Sequence, residues 1–242
     1  MSAGAVFQHA LRQLRRYALP LEAERDVLAA MEAARGGPLP FLYEAGAEAG
    51  LPRELLMARC AALFVALVAG NLADDLADGE CTYIAPLSAG PGTQYLLSAW
   101  CYAALLESGL PSSLVTHLAV ELVRSAALQS VEVRTETWTV DVYRAVGEGI
   151  AARQWSVYLT ALWHDTELEA RAEELGWHLG VAGHVAQDLS SNSRRLKGLG
   201  DDGLRAIVDW ADQSLAVLGA AKFRFLDAAG AWMRARIHPE PT

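Results

Sequence analysis

A chain of 242 residues, 52% of them hydrophobic, can bury one sizeable core, and its net charge of −9 excludes the basic footprint of a nucleic-acid binder. Cys60, Cys81 and Cys101 fall at no metal-ligand spacing, and so sparse and odd a set fits a reducing cytoplasm better than a disulfide framework. Arg12, Arg15 and Arg16 are followed by no apolar signal region, and Arg59 and Asn71 interrupt the longest apolar stretch, so neither a signal peptide nor a membrane span is expected.

The elements follow in chain order. Val6, Ala10, Leu14 and Tyr17 form one stripe and predict a helix over 4–18. Pro20 opens a second helix to about Ala34, and Gly36-Gly37-Pro38 breaks it. A short helix is expected from Pro40 to Ala49. Pro52 opens a long central helix, which Asp78-Gly79 ends. Residues 81–92 read as loop because Pro86, Gly90, Pro91 and Gly92 all fall there. Helices follow at about 93–108 and 112–134. Thr139 caps the next, which runs to about His164, and another spans roughly Glu167 to Arg195. After a turn through Lys197-Gly198 to Gly203, one last helix covers Leu204 to Arg236. With no repeat and no linker, the chain reads as one all-α domain over 1–242.

The central helix carries the chemistry. Its run from Cys60 to Gly70 is apolar on every side, which marks a buried helix, and it ends in Asn71-Leu72-Ala73-Asp74-Asp75-Leu76-Ala77-Asp78. Asp74 and Asp78 lie one above the other on one face, with Asn71 a turn earlier and Asp75 beside them. Three acids at a helix C-terminus repel one another and oppose the helix dipole. A hard divalent cation such as Mg²⁺, which takes oxygen ligands and is held by a few carboxylates plus substrate phosphates, removes that conflict.

A second polar face interrupts the apolar helix near 190. His184, Gln187, Asp188, Ser191 and Arg195 recur at helical spacing; Gln187, Asp188 and Ser191 offer oxygens to a second metal, and Arg194, Arg195 and Lys197 offer cations to phosphate oxygens. Between the two sets, Gln129 and Glu132 share a turn, and Arg134, Tyr143, Arg144 and Arg153 follow.

These clusters resemble the class I isoprenoid synthase superfamily. Asp74-Asp75-Leu76-Ala77-Asp78 is similar to the first aspartate-rich motif, D-D-x-x-D, of the trans-isoprenyl diphosphate synthases. Leu128-Gln129-Ser130-Val131-Glu132 resembles their G-Q-x-x-D helix, with Leu for Gly and Glu for Asp. Tyr143 and Arg153-Gln154 stand near their Y…K-T segment, with arginine for lysine. Gly180 to Ser191 falls on the second aspartate-rich motif, where Gly183 and His184 replace Phe-Gln and Gln187-Asp188-Leu189-Ser190-Ser191 replaces D-D-x-x-D. The last stretch also resembles the N-D-x-x-S part of a terpene synthase metal motif, with Arg195 in place of the final acid. In its compactness the chain resembles the moenomycin-pathway prenyltransferase.

The resemblance implies a single helical bundle around a deep apolar cavity, with the acids at 74–78 facing Gln187, Asp188 and Ser191 across its mouth. It implies Mg²⁺ on both sets and Gln129, Glu132, Arg153, Arg194, Arg195 and Lys197 at the diphosphate. An apolar tunnel must shield a carbocation from water, and aromatic faces stabilise it; Phe64, Trp155, Tyr158 and Trp163 are the candidates. Elongating members carry paired arginines soon after the first motif, whereas here no arginine follows Asp78 until Arg124. The expected reaction is therefore Mg²⁺-dependent ionisation of an allylic isoprenyl diphosphate followed by cyclisation or quenching to a terpene. The alternative is transfer to an acceptor other than isopentenyl diphosphate, and a third reading is an inactive regulatory partner of an active synthase. A homodimer is the candidate assembly.

Overall fold

The computed structural model describes residues 3–36 and 39–239, so the break expected at Gly36-Gly37-Pro38 lies partly outside the described residues. Packing divides the chain into two compact units, 1–119 and 120–242. Each is described by itself. Among the described residues the secondary structure is entirely helical.

The first unit holds α1 (Ala3–Arg15), α2 (Leu21–Ala34), α3 (Leu39–Glu48), α4 (Arg53–Asp78) and α5 (Gly90–Glu107). Pro52 is the N-cap of α4, so its fixed φ leads into the helix and its missing N–H costs no helical bond. From Cys60 to Ala69 every residue of α4 is buried, and the helix is the spine against which α1, α2, α3 and α5 pack. By length and composition α4 could cross a bilayer, contrary to the sequence expectation, because neither Arg59 nor Asn71 lowers its hydropathy enough. Its most apolar window is 78% buried within the protein, which makes it the core helix of this unit. Gly90, Pro91 and Gly92 belong to the first turn of α5 rather than to a loop, with proline at a position where a helix tolerates it.

The helix α6 (Ser112–Glu132) runs through the boundary at residue 119. The second unit continues with α7 (Val140–Gly147), a π-helical turn over Glu148–Ala152, α8 (Arg153–Trp163), α9 (Ala172–Ser191), α10 (Gly200–Ala220) and α11 (Arg224–Ile237). The expected Thr139 cap forms, its hydroxyl accepting the Val142 N–H at 3.3 Å. The expected last helix is two, divided where Lys222 takes φ 58.

In the second unit α9 is central. A Cβ on Gly176 would lie 2.5 Å from the Trp155 carbonyl oxygen, and one on Gly180 would lie 2.5 Å from Ala152 Cα. Two glycines four apart thus let α9 lie directly on the backbone of α8 and the π-helical turn. That approach fixes the height at which the later residues of α9 emerge.

Candidate functional site

The acid-bearing end of α4 is shaped by its cap. Gly79 adopts φ 73, a left-handed conformation that glycine takes at low cost, and its N–H returns to the Asp75 carbonyl. The same carbonyl accepts the N–H groups of Glu80 at 2.8 Å and Cys81 at 3.0 Å. The chain therefore winds around Asp75 and brings Tyr83 back over it, where the hydroxyl donates to Asp75 Oδ2 at 2.6 Å. Burial, and then the bond and charge of Asp75, push the Tyr83 hydroxyl well above its ordinary pKa, so it remains a donor throughout the working pH range. Asp74 and Asp75 are half-buried and Asp78 is exposed. On the inward side, Leu72 is fully buried and the Leu76 methyls fill the space that a side chain on Gly90 would need, which seats this end of α4 against the start of α5.

Asp74, Asp75 and Asp78 suit Mg²⁺ chemically: all donors are oxygens, the group is partly open to water, and a hard cation offsets both their mutual repulsion and the helix dipole. Tyr83 gives Asp75 the kind of outer hydrogen bond that orients a ligating carboxylate. Sequence reasoning passed over Tyr83, because only the turn after Gly79 brings it to Asp75.

The end of α9 repeats this arrangement with a different result. Asn192 adopts φ 52 and caps the helix, and the Asp188 carbonyl accepts the N–H of Asn192 and, at 3.0 Å, that of Ser193. Ser193 Oγ then accepts the Arg195 N–H at 3.3 Å, and the chain folds Arg195 back onto the helix. The helical face expected to run on to Arg195 therefore stops at Ser191. Arg195 Nη1 donates to Asp188 Oδ1 at 2.7 Å, and its Nε donates to Glu132 Oε1 at 2.6 Å. A second guanidinium nitrogen, Nη2, also reaches Glu132. Both acids are nearly inaccessible, Asp188 1% and Glu132 3% exposed. Burial alone would lower the Arg195 pKa, but Asp188 and Glu132 outweigh it and raise it further, so the guanidinium is permanently charged.

Two more groups close on Asp188. His184 Nε2 lies 3.6 Å from Asp188 Oδ2, and the Tyr143 ring sits 5.0 Å from the His184 ring. Desolvation lowers the His184 pKa to about 4, with Asp188 opposing the shift and Arg195 adding to it, so this imidazole is neutral at neutral pH. Burial, then the nearby charge of Asp188, raise the Tyr143 hydroxyl. Gly147 makes room for the histidine: a Cβ there would meet His184 Cδ2 at 2.7 Å.

The other expected site residues are dispersed. Gln187 and Ser191 are exposed, while Asp188 between them is buried, so the three do not form a common ligand set; Ser191 Oγ lies 3.4 Å from the Asp188 carbonyl, to which it donates. Arg153 pairs with Glu121, which also binds Arg124 at 2.5 Å. Burial would raise the Glu121 carboxyl, and Arg153 and Arg124 bring it below its ordinary range. Gln129 is half-buried, and Arg194 and Lys197 are exposed beside the short turn Arg194–Leu196.

The expected aromatic wall is mostly plain core. Phe64 has no exposure and packs on Phe7 with centroids 5.9 Å apart, so no water-sized space adjoins it. Trp163 is equally buried, between Phe223 and Phe225. Tyr158 is buried and meets the half-buried Trp155 edge to face at 5.8 Å. A cavity of about 640 Å³ in the first unit is lined by Gln8, His9, Arg12, Arg53, Glu54 and Met57. It lies at the start of α4, roughly 30 Å along the axis from Asp74, away from the acids at which the apolar pocket is expected.

No known family profile matches the chain, and no curated sequence is significantly similar to it. Solved structures are similar to it over nearly its whole length. A deletion mutant of the heterotetrameric geranyl pyrophosphate synthase of mint is 13% identical, with TM-score 0.64, over 96% of this chain and 98% of that one. A protein assigned as a farnesyl-diphosphate synthase of Marinomonas sp. MED121 is 15% identical, TM-score 0.62, over 97% of each chain. An FPP/GFPP synthase of Zymomonas mobilis is 17% identical, TM-score 0.62, over 98% and 96%. The chain has the all-α class I isoprenoid synthase fold that these polyprenyl synthetase-like proteins share.

Proposed function

We propose that this protein, built on the isoprenyl diphosphate synthase fold, ionises an allylic isoprenyl diphosphate and transfers the isoprenyl group to an acceptor other than isopentenyl diphosphate. The observation that carries the reading is the placement of Asp74 and Asp78 on one partly open face at the end of a buried apolar helix, with Asp75 held by Tyr83. Asp74, Asp75 and Asp78 would hold Mg²⁺, which when bound supplies Lewis-acid neutralisation of the leaving diphosphate. Arg194 and Lys197 are exposed cations suited to diphosphate oxygens, Gln129 is a candidate polar contact, and Arg153 shares its charge with Glu121. The likeness to geranyl and farnesyl diphosphate synthases supports prenyl chemistry in general. A second diphosphate needs its own cations, and residues 79–123 contain neither Lys nor Arg, which is why the acceptor is taken to be different.

The same ionisation without an acceptor would end in cyclisation or capture by water, the terpene synthase reading. The guanidinium lodged on Asp188 favours another, a partner subunit without turnover of its own; the mint neighbour is a heterotetramer by its description. A homodimer is the simpler assembly. We place the protein in the cytoplasm, where Cys60, Cys81 and Cys101, all buried free thiols, stay reduced.

The deciding experiment incubates the protein and Mg²⁺ with C10, C15 and C20 allylic diphosphates, alone and with isopentenyl diphosphate, and follows diphosphate release and product mass. Release without C5 extension supports allylic ionisation without elongation, and a hydrocarbon or terpene alcohol as the main product of the allylic substrate alone moves the reading to the terpene synthase. A product longer by C5 and still carrying diphosphate rejects the proposal. No release with any substrate leaves the transferase, whose acceptor the mixture lacks, and the partner subunit.

A further inference from the structure

We infer that the carboxylates of Glu132 and Asp188 form a built-in guanidinium site, filled by Arg195, and that this end of α9 takes no divalent metal. The inference deepens the reading above and rests on it only for the assignment of the metal to Asp74, Asp75 and Asp78.

Three observations carry it. The guanidinium bridges both acids in charge-assisted bonds, at 2.6 Å to Glu132 and 2.7 Å to Asp188, so the positive charge a metal would supply is already covalently part of the chain. The cradle is closed: the acids are 1% and 3% exposed, and Tyr143 and His184 cover Asp188 from α7 and α9. Mg²⁺ keeps several waters and gives them up reluctantly, so a dry cradle does not suit it, whereas a weakly hydrated guanidinium tolerates burial. The other ligands expected from the sequence do not converge on Asp188. Gln187 lies on the exposed side of α9, and Ser191 is turned to the Asp188 carbonyl.

The backbone is built for this arrangement. Asn192 in the left-handed conformation ends α9, and the Ser193 hydroxyl holds the Arg195 N–H, so the side chain is delivered to Asp188 by two local devices. The consequence is a fixed positive charge in place of one recruited with each substrate. Of the two metal sets expected from the sequence, only that on α4 then keeps its demand for a divalent ion.

The test is Mn²⁺ stoichiometry, read by the electron paramagnetic resonance of free Mn²⁺ in the presence of inorganic diphosphate, with folding checked by circular dichroism. Asp188→Asn, which keeps the shape of the side chain and leaves Arg195 paired with Glu132, should bind as many Mn²⁺ ions as the unmodified protein. Asp74→Asn should bind fewer. Loss of a Mn²⁺ equivalent in Asp188→Asn overturns the inference. If the unmodified protein takes up no Mn²⁺, the proposed reaction fails, and the inference is read separately from Arg195→Ala. That variant, with two carboxylates left without their cation, should gain a Mn²⁺ equivalent that adding Asp188→Asn removes. A folded Arg195→Ala that gains none overturns it. Where Arg195→Ala does not fold, the triple change Glu132→Gln, Asp188→Asn, Arg195→Gln, which leaves no charge in the cradle, should restore folding; failure to do so also overturns it.

Discussion

The Tyr83 hydroxyl donates to Asp75 Oδ2 at 2.6 Å across the turn that Gly79 opens, and Arg195 makes the same return to Asp188 across the turn that Asn192 opens. In both, the acid's own carbonyl accepts the N–H of the left-handed cap and of the residue after it. One geometry thus serves two ends. At α4 a neutral hydroxyl orients a carboxylate and leaves its charge in place; at α9 a guanidinium neutralises it.

Removing the hydroxyl at α4 should loosen metal binding without unfolding the protein. Tyr83→Phe keeps the ring and deletes one donor to Asp75. Outer hydrogen bonds of this kind typically contribute 10–100-fold to metal affinity. We expect the Mg²⁺ concentration for half-maximal diphosphate release to rise about tenfold, with an unchanged helical spectrum. An unchanged Mg²⁺ dependence would show that Asp75 needs no positioning.

The acids themselves should be indispensable to turnover and dispensable to the fold. Asp74→Ala and Asp75→Ala remove charge from a cluster at a helix C-terminus, where the dipole disfavours it. Diphosphate release should be lost in both, with the helical spectrum of the parent retained. Turnover near the parental level in either variant would dismiss the assignment.

Much of this was legible in the sequence, for identifiable reasons. The apolar run before Asn71 is too long and too uniform to be anything but a buried helix, and Pro52 and Gly79 mark its ends. The close of α9 was not legible. Asn192 is a weak stop signal beside the regular spacing of Gln187, Asp188, Ser191 and Arg195, and the partner that draws Arg195 back, Glu132, lies 63 residues away. The division at Lys222 was hidden for a similar reason, since Ala220-Ala221-Lys222-Phe223 holds no Gly or Pro. Gly90-Pro91-Gly92 misled in the opposite direction, because Pro91 sits where the first helical turn needs no N–H.

Two glycines of α9 should respond to alanine with opposite sign. At Gly180 a Cβ would press on the backbone of Ala151 and Ala152, which cannot move aside as a side-chain tip can. Gly180→Ala should cost about 1–3 kcal/mol through forced displacement of the π-helical turn. At Gly183 nothing lies within 4 Å of a built Cβ, and its helical backbone favours alanine by about 0.5–1 kcal/mol. Urea unfolding of the two variants gives the comparison directly. Equal effects would mean that α9 does not depend on this close approach.

His184 should make stability pH-dependent over a defined window. Burial is the main reason its pKa falls from the usual 6.5 to about 4; Asp188 opposes the shift, and Arg195, from the turn after α9, adds to it. The Tyr143 ring from α7 packs on it, Trp210 from α10 lies beside the same Gly147, and the Arg144 guanidinium lies over the Trp210 ring, 5.7 Å from its centroid. The folded protein therefore holds this imidazole neutral while the unfolded chain takes up a proton below about pH 6.5. Stability from this group is complete above pH 6.5 and is lost as the pH falls toward 4, because the unfolded state binds more protons throughout that interval. The loss approaches about 1.4 kcal/mol per pH unit for one proton. His184→Phe keeps an aromatic ring in the space that Gly147 leaves and removes the titration. Urea unfolding of both chains at pH 7, 6 and 5 isolates the effect, since the other carboxylates and histidines titrate in each and cancel in the difference. The stability of the parent relative to His184→Phe should fall from pH 7 to pH 5. Curves that stay parallel over that range would show that the imidazole is not held neutral.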